Sequence, residues 1–423
     1  KKTRFRELRG EVCSVSFLRP EGAVVCPACL QNDGSAGETW MIKGQIAWRV
    51  RSLQTCILHN CRLIEPVGIK GQTISLNPTT IRNMVSIHQT PTDLELNIAN
   101  RLSNTSTDAG DWLDGQTIEQ GAKACEMVGA AFARGHKFSQ KGLSAEQWRH
   151  AGAVGYEIAR NGPEAISKAL TRIAAMSSTT AGQAGPKAVY GSLYEWIAYG
   201  SKTVEFGPIR DLLRENILNT LAIEPDDVLL GERVIGRRLH SVYSLSVKTG
   251  LHRKRLRKIL VQAGLASEDS WELAAHRLVF DADGAVQLCR DIIESVSLHL
   301  VPAIIGCSRT QAESLYRERI IVPVFEIDAE LKIGKLAFAS RHLSILLDSI
   351  NRFLIAPSTT PDFVTLASAT KRTGLTTGSI MSRVLDSSLV AYRLGDQATL
   401  NDIRFHVKDL NPIKTLQLSA SII

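Results

Sequence analysis

Two short motifs, Cys26-Pro-Ala-Cys29 and Cys56-Ile-Leu-His59, constrain this chain more than any other feature. Two cysteines separated by two residues present both thiolates from one tight turn, and a second knuckle of that size completes a tetrahedral shell of the kind zinc prefers. We therefore expect one Zn2+ held by Cys26, Cys29, Cys56 and His59, with Cys61 as the reserve for His59 and Cys13 as a further thiol upstream. Four protein ligands leave no position for water or substrate, so the site is expected to be structural, a staple for a segment with little core of its own. Cys125, Cys289 and Cys307 stand singly in apolar surroundings and read as core thiols.

A chain of 423 residues is too long for one hydrophobic core, which stops growing at about 250 to 300 residues, so two to four domains are expected. With 44 % hydrophobic and 22 % charged residues, wholesale disorder is excluded. Eight cysteines in so long a chain, four of them spent on a metal, point to a reducing compartment rather than a disulfide scaffold. The start, Lys-Lys-Thr-Arg-Phe-Arg, lacks the apolar core of a signal peptide, and no apolar run approaches the ~18 residues of a membrane span. The protein therefore reads as cytoplasmic with no membrane partner. The first residue is not Met, which implies further sequence upstream.

The pattern is mainly α and multidomain. Residues 1–80 are short apolar runs broken by Gly, Pro and Asn around the metal motifs, a small metal-stabilised module. Residues 81–185 read as a helical domain: Thr92 or Asp93 caps a helix through Leu102, Ser144 and Gln147 form a capping box for a helix over 145–160, and Pro163 sits in the first turn of the next. The Ser, Thr and Gly-rich stretch 177–185 reads as a linker. Three further segments, 190–265, 266–330 and 331–423, each hold a short helix, a Gly and a second helix, the layout of a helix-turn-helix.

Those three copies centre on Gly250, Gly306 and Gly374, because the turn needs a residue tolerant of positive φ. Leu245, Leu251, Leu256 and Ile259 supply the core places of the first, with small Ser246 where the helices cross. Val301, Cys307, Ala312 and Leu315 supply those of the second, where Pro302 makes the first helix begin late. Ala369, Leu375 and Ile380 fit the third, but Arg383 takes its last core place, with Val384 beside it as a substitute.

The net charge of +8 matters because it clusters. Arg233, Arg237, Arg238, Lys248, Arg253, Lys254, Arg255, Arg257 and Lys258 fall in one stretch without an acid, which we read as nine cations on the first bihelical unit. Its second helix is expected to begin near His252, placing His252, Arg253, Lys254, Arg255, Arg257 and Lys258 where base edges and flanking phosphates of DNA are met. Ser308, Arg309 and Gln311 hold the same place in the second copy. The third offers Thr376, Thr377 and Ser379, a set that suits protein packing as well as DNA.

No enzyme motif stands out. The chain has no Gly-rich loop ending in Gly-Lys-Ser or Gly-Lys-Thr, no His-Glu-x-x-His helix and no Gly-x-Ser-x-Gly elbow. Its histidines, His136, His150, His276 and His342 among them, are mostly isolated, so we expect no catalytic residues.

Taken together, Cys26-Pro-Ala-Cys29-Leu30, Trp48-Arg49 and Cys56-Ile-Leu-His59 resemble the N-terminal module of the TniQ proteins of transposons. Phe5-Arg-Glu-Leu, Tyr190-Gly-Ser-Leu-Tyr194 and Leu212-Leu-Arg-Glu215 are similar to that family too. Two features depart from it: the usual Pro-rich opening with a Ser-Trp is missing, and Ile64-Glu-Pro-Val stands where a second Cys-x-x-Cys often follows, so no second metal is expected. The resemblance implies a non-catalytic bacterial transposition factor that marks a target site on DNA and recruits an AAA-type ATPase regulator, which brings the transposase. Some relatives bind an attachment sequence themselves, whereas others form a homodimer docked on an RNA-guided CRISPR complex and leave sequence reading to base pairing. The alternative is a zinc-containing, sequence-specific helix-turn-helix transcription regulator.

Overall fold

The structure is a computed structural model, and it describes residues 4–34, 43–66, 78–103, 105, 110–177, 184–200, 205–266, 278–324, 336–357 and 361–410. Helices predominate among the described residues, in keeping with a mainly α protein. The chain divides into two compact units, one of residues 1–239 with 274–279, the other of residues 240–273 with 280–423. The stretch read as a linker lies mostly outside the described residues, and the helices on both of its sides belong to the first unit.

The first unit opens with a hairpin of β1 (Phe5–Leu8) and β2 (Glu11–Ser14), then α1 (Pro27–Gly34), a 3-10 turn (Ile46–Arg49) and a second hairpin, β3 (Thr55–Cys56) and β4 (Cys61–Arg62). After α2 (Pro78–Arg82) it becomes helical: α3 (Asp93–Leu102), α4 (Asp111–Asp114), α5 (Ile118–Arg134), α6 (Ala145–Ala159), α7 (Gly162–Ala175), α8 (Pro186–Tyr199) and α9 (Ile209–Thr220), with a last hairpin of β5 (Val228–Leu229) and β6 (Glu232–Arg233). Capping boxes start three of these helices, Thr92 with Glu95, Thr117 with Gln120 and Ser144 with Gln147, each satisfying two otherwise orphaned backbone donors. The α5–α6 pair packs backbone to backbone through Gly129 and Gly155. A β-carbon on Gly155 would overlap the Cys125 carbonyl oxygen, so only glycine allows this approach.

The second unit repeats one theme. Strand β7 (Leu239–Ser241) leads into α10 (Val242–Thr249) and α11 (Arg253–Gln262), and β8 (Val279–Asp281) leads into α12 (Ala282–Ile293). Then come β9 (Ser295–Ser297), α13 (Val301–Ile305), α14 (Arg309–Arg317) and β10 (Ala337–Ala339), which pairs antiparallel with β9. Helix α15 (Ser340–Ile350) and β11 (Leu354–Ile355) precede β12 (Phe363–Thr365), α16 (Leu366–Thr373), α17 (Thr377–Leu385), β13 (Tyr392–Arg393) and β14 (Ile403–His406). The last strands form a sheet of order β11-β13-β14-β12, antiparallel except for β11 with β13.

Each helix pair turns on its glycine in the left-handed region, at φ 73° for Gly250, 66° for Gly306 and 72° for Gly374, where a β-carbon is penalised. The expected core residues Leu245, Leu256, Ile259, Val301, Ala312, Leu315, Ala369 and Ile380 are buried, and Leu251, Cys307 and Leu375 are half-buried. In the third pair Val384 is buried while Arg383 stays half-exposed, so the neighbour does take the core place. The flanking strands went unread because segments of two or three residues are too short to show alternation.

One expectation needs correction. Arg233, Arg237 and Arg238 belong to the first unit, apart from the helix pair that follows them in sequence. Each is also paired with an acid: Arg233 with Asp226 at 2.8 Å, Arg237 with Glu224, and Arg238 with Glu215. Folding brings in partners that lie upstream, so a stretch without acids in sequence is not one in space.

Candidate metal centre and candidate nucleic-acid interface

Cys26 immediately precedes α1 and Cys29 lies within it; Cys56 ends β3, and His59 sits in the turn before β4. The four ligand atoms lie within 4.8 Å of one another, a candidate metal-binding site. The Cys29 and Cys56 sulfurs are 3.7 Å apart, and His59 Nδ1 is 3.2 Å from Cys29 Sγ, 3.7 Å from Cys26 Sγ and 3.8 Å from Cys56 Sγ. The three cysteines are buried and His59 is half-exposed. The Cys29 backbone N–H donates to Cys26 Sγ at 3.3 Å, the bond a tight cysteine turn makes to its own first thiolate.

Two further side chains frame the cluster. The Asn32 amide nitrogen Nδ2 lies 3.0 Å from His59 Nε2; with the amide turned over, Oδ1 accepts from Nε2–H there and leaves Nδ1 free to ligate. Cys61, paired with Cys56 across the hairpin, brings its sulfur to 3.3 Å from Cys26 Sγ. It lies beside the four-atom cluster rather than in it. Sequence could flag Cys61 by proximity but had no signal for Asn32.

The proton balance of the cluster is divided, with one thiol drawn down and two pushed up. The hydrogen bond from the Cys29 thiol, helped by His59 and opposed by burial, draws Cys56 down to about 5, and the same bond raises Cys29. Burial pushes Cys26 up to about 12. One thiolate is thus present at neutral pH, and two thiols must give up protons to a metal.

The module is laced to the helices by four carboxylates. Glu95 on α3, almost wholly buried, accepts from Gln54 N at 2.7 Å, Thr55 Oγ1 at 3.1 Å, Thr92 N at 2.8 Å and Arg149 Nε at 3.2 Å. Glu119 on α5 takes Ser14 N and Oγ, Glu126 takes Ser52 Oγ at 2.6 Å, and Glu11 on β2 takes Arg101 and the Ile118 N–H. Upstream of the first motif, the Arg19 guanidinium donates to the carbonyls of Trp48, Val50, Arg51 and Leu53, which lie between the two motifs; burial lowers its pKa to about 10. Apart from Thr92 and Glu95, which share a capping box, these carboxylate partners are separated too far along the chain for any spacing rule to join them.

In the second unit His252 caps α11, its Nδ1 accepting the Lys254 N–H at 3.3 Å. Arg253, Lys254 and Arg255 follow, exposed and with no ion pair to another described residue, while Arg257 and Lys258 are half-buried. Three cations in the first turn oppose the helix dipole, an arrangement that an approaching anion relieves. The second pair differs: Ser308 and Gln311 spend their side chains on a capping box, and Arg309 is paired with Glu313 at 3.1 Å. In the third pair the start of α17 is packed on α14, with Thr376 Oγ1 donating to Glu318 Oε1 at 2.6 Å and Gly378 N to Ser314 Oγ at 3.0 Å.

Comparison with known proteins bears on the N-terminal part alone. No curated protein and no solved structure matches the chain. Residues 1–63, which contain every candidate metal ligand, match the family model TniQ. Among the described residues no helix is long and apolar enough to cross a membrane. Over residues 1–63 the chain is thus similar to the TniQ family, and that domain implies a transposition-associated factor.

Proposed function

We propose that this protein is a non-catalytic target-site factor for transposition, with a zinc-stabilised N-terminal platform and a DNA grip in its C-terminal helix pairs. Zinc fits the donor set: at ~2.3 Å from each sulfur, a tetrahedral ion needs sulfur–sulfur separations of about 3.8 Å, close to the 3.7 Å between Cys29 and Cys56. Cys26, Cys29, Cys56 and His59 hold it, and Asn32 orients the imidazole. The division into parts 1–80, 81–185, 190–265, 266–330 and 331–423 is the working map for truncations.

The observation that carries the DNA reading is the exposed, acid-free first turn of α11, where His252, Arg253, Lys254 and Arg255 face solvent and Arg257 and Lys258 follow. Ser308, Arg309 and Gln311 of α14 form the second, weaker contact. On this reading the protein, in the bacterial cytoplasm, marks the target by direct binding or as a homodimer on an RNA-guided CRISPR complex. It then recruits an AAA-type ATPase regulator.

The test is binding of purified protein to labelled duplex DNA at about 50 and 200 mM salt, with the Arg253→Ala/Arg255→Ala variant alongside. Binding that falls steeply with salt and weakens in the variant supports a direct grip. Equal binding by both proteins removes α11 from the interface. Capture of an AAA-type ATPase on that DNA separates a transposition factor from a transcription regulator.

A further inference from the structure

Arg253 is held without being neutralised by any described acid. Its guanidinium carbon lies 4.5 Å from the centroid of the Tyr243 ring, on the first helix of the same pair. It is exposed and makes no hydrogen bond or ion pair to another described residue. Arg309, its counterpart in the second pair, is tied to Glu313, and Arg317 lies 3.9 Å from the same carboxylate.

Stacking occupies the face of a guanidinium and leaves its edge, with five N–H donors in one plane, open to a coplanar pair of acceptors. The ring also restrains a side chain that otherwise loses much rotamer freedom on binding. The position is the first residue of α11, where an inserted helix meets base edges. Two acceptors side by side in the major groove are the O6 and N7 of guanine. Lys254 and Arg255 rest on no ring, so they suit phosphate, which needs charge more than orientation.

Building on the DNA-binding reading above, we infer that Arg253 reads a guanine in the target duplex and that Tyr243 is its positioning residue. The side chain enters the complex already oriented, so specificity at one base pair resides in a contact between the two helices of the pair.

The experiment is selection from a pool of randomised duplexes by wild type, Arg253→Lys, Tyr243→Phe and Tyr243→Leu, each with its melting temperature checked. Wild type and Tyr243→Phe, which keeps the ring face, are expected to enrich one guanine position. Arg253→Lys and Tyr243→Leu are expected to lose that preference by about tenfold, and in Tyr243→Leu, which keeps every cation, the salt dependence on an unselected duplex stays that of wild type. A guanine preference that survives Arg253→Lys, or that is equal in Tyr243→Leu and wild type, overturns the inference. Binding by wild type without sequence preference assigns Arg253 to phosphate, which overturns the inference and leaves the DNA grip standing. No duplex binding at all removes both.

Discussion

The metal module and the start of α11 are built on opposite plans. In the module nearly every polar atom is spent inside the molecule: three thiols and an imidazole face one another, and Glu95 alone accepts from Gln54, Thr55, Thr92 and Arg149. On α11 the cations Arg253, Lys254 and Arg255 are left over, exposed and without acids. Spent groups contribute to stability, whereas unspent groups cost some stability and are available to a partner. The same local layout can go either way: α17 follows its glycine as α11 does, yet its first turn is consumed by Ser314 and Glu318 of α14.

The contrast predicts a ladder of stability effects. Removing the metal with a chelator should be the largest, on the order of 10 kcal/mol of binding free energy, and should unfold the hairpin of β3 and β4, read by the fluorescence of buried Trp48. Metal affinity should also fall with pH. Cys26 and Cys29 are raised and therefore protonated near neutrality, so at least two protons leave per metal bound, and affinity should drop about a hundredfold per unit of acidification. Below about 5 a third proton competes at Cys56. Calorimetry in buffers of different ionisation enthalpy counts those protons; a count of zero would contradict the thiol assignment.

Glu95→Ala comes next, at about 2–4 kcal/mol, since it removes the acceptor of two part-buried backbone N–H groups and the buried one of Arg149's two carboxylate partners; denaturant melts of wild type and variant measure it. Gly378→Val should cost about 1–3 kcal/mol, because its side chain runs into Glu318 and lies 2.8 Å from the Ser314 carbonyl oxygen. Unchanged melting of this variant would mean that α14 and α17 are not packed in solution. At the bottom of the ladder, Arg253→Ala/Arg255→Ala should change stability by less than about 0.5 kcal/mol while lowering the salt slope of DNA binding by about 1, the share of Arg255 on phosphate. A variant that melts early would show those cations to be structural after all.

Much of this architecture was legible in advance where the signal is local. Ser144 and Gln147 announce the start of α6, Gly250, Gly306 and Gly374 announce three turns, and the spacing of Cys26, Cys29, Cys56 and His59 announces a shared metal. Each is decided within a few residues by hydrogen-bond geometry, by φ or by ligand reach. The strands of two or three residues that frame each helix pair were not legible, because their pairing partners, not their own pattern, define them.

Sequence alone thus determined the candidate metal ligands, the helical class and the presence of a basic helix start. Tertiary structure decided which charges remain free. Arg233, Arg237 and Arg238 look the same as Arg253, Lys254 and Arg255 in a composition count, yet among the described residues folding delivers Asp226, Glu224 and Glu215 to the first three and no acid to the others. The physical reason is range: a cap, a turn or a knuckle is closed by neighbours along the chain, whereas neutralising a surface charge depends on which distant element the fold places beside it.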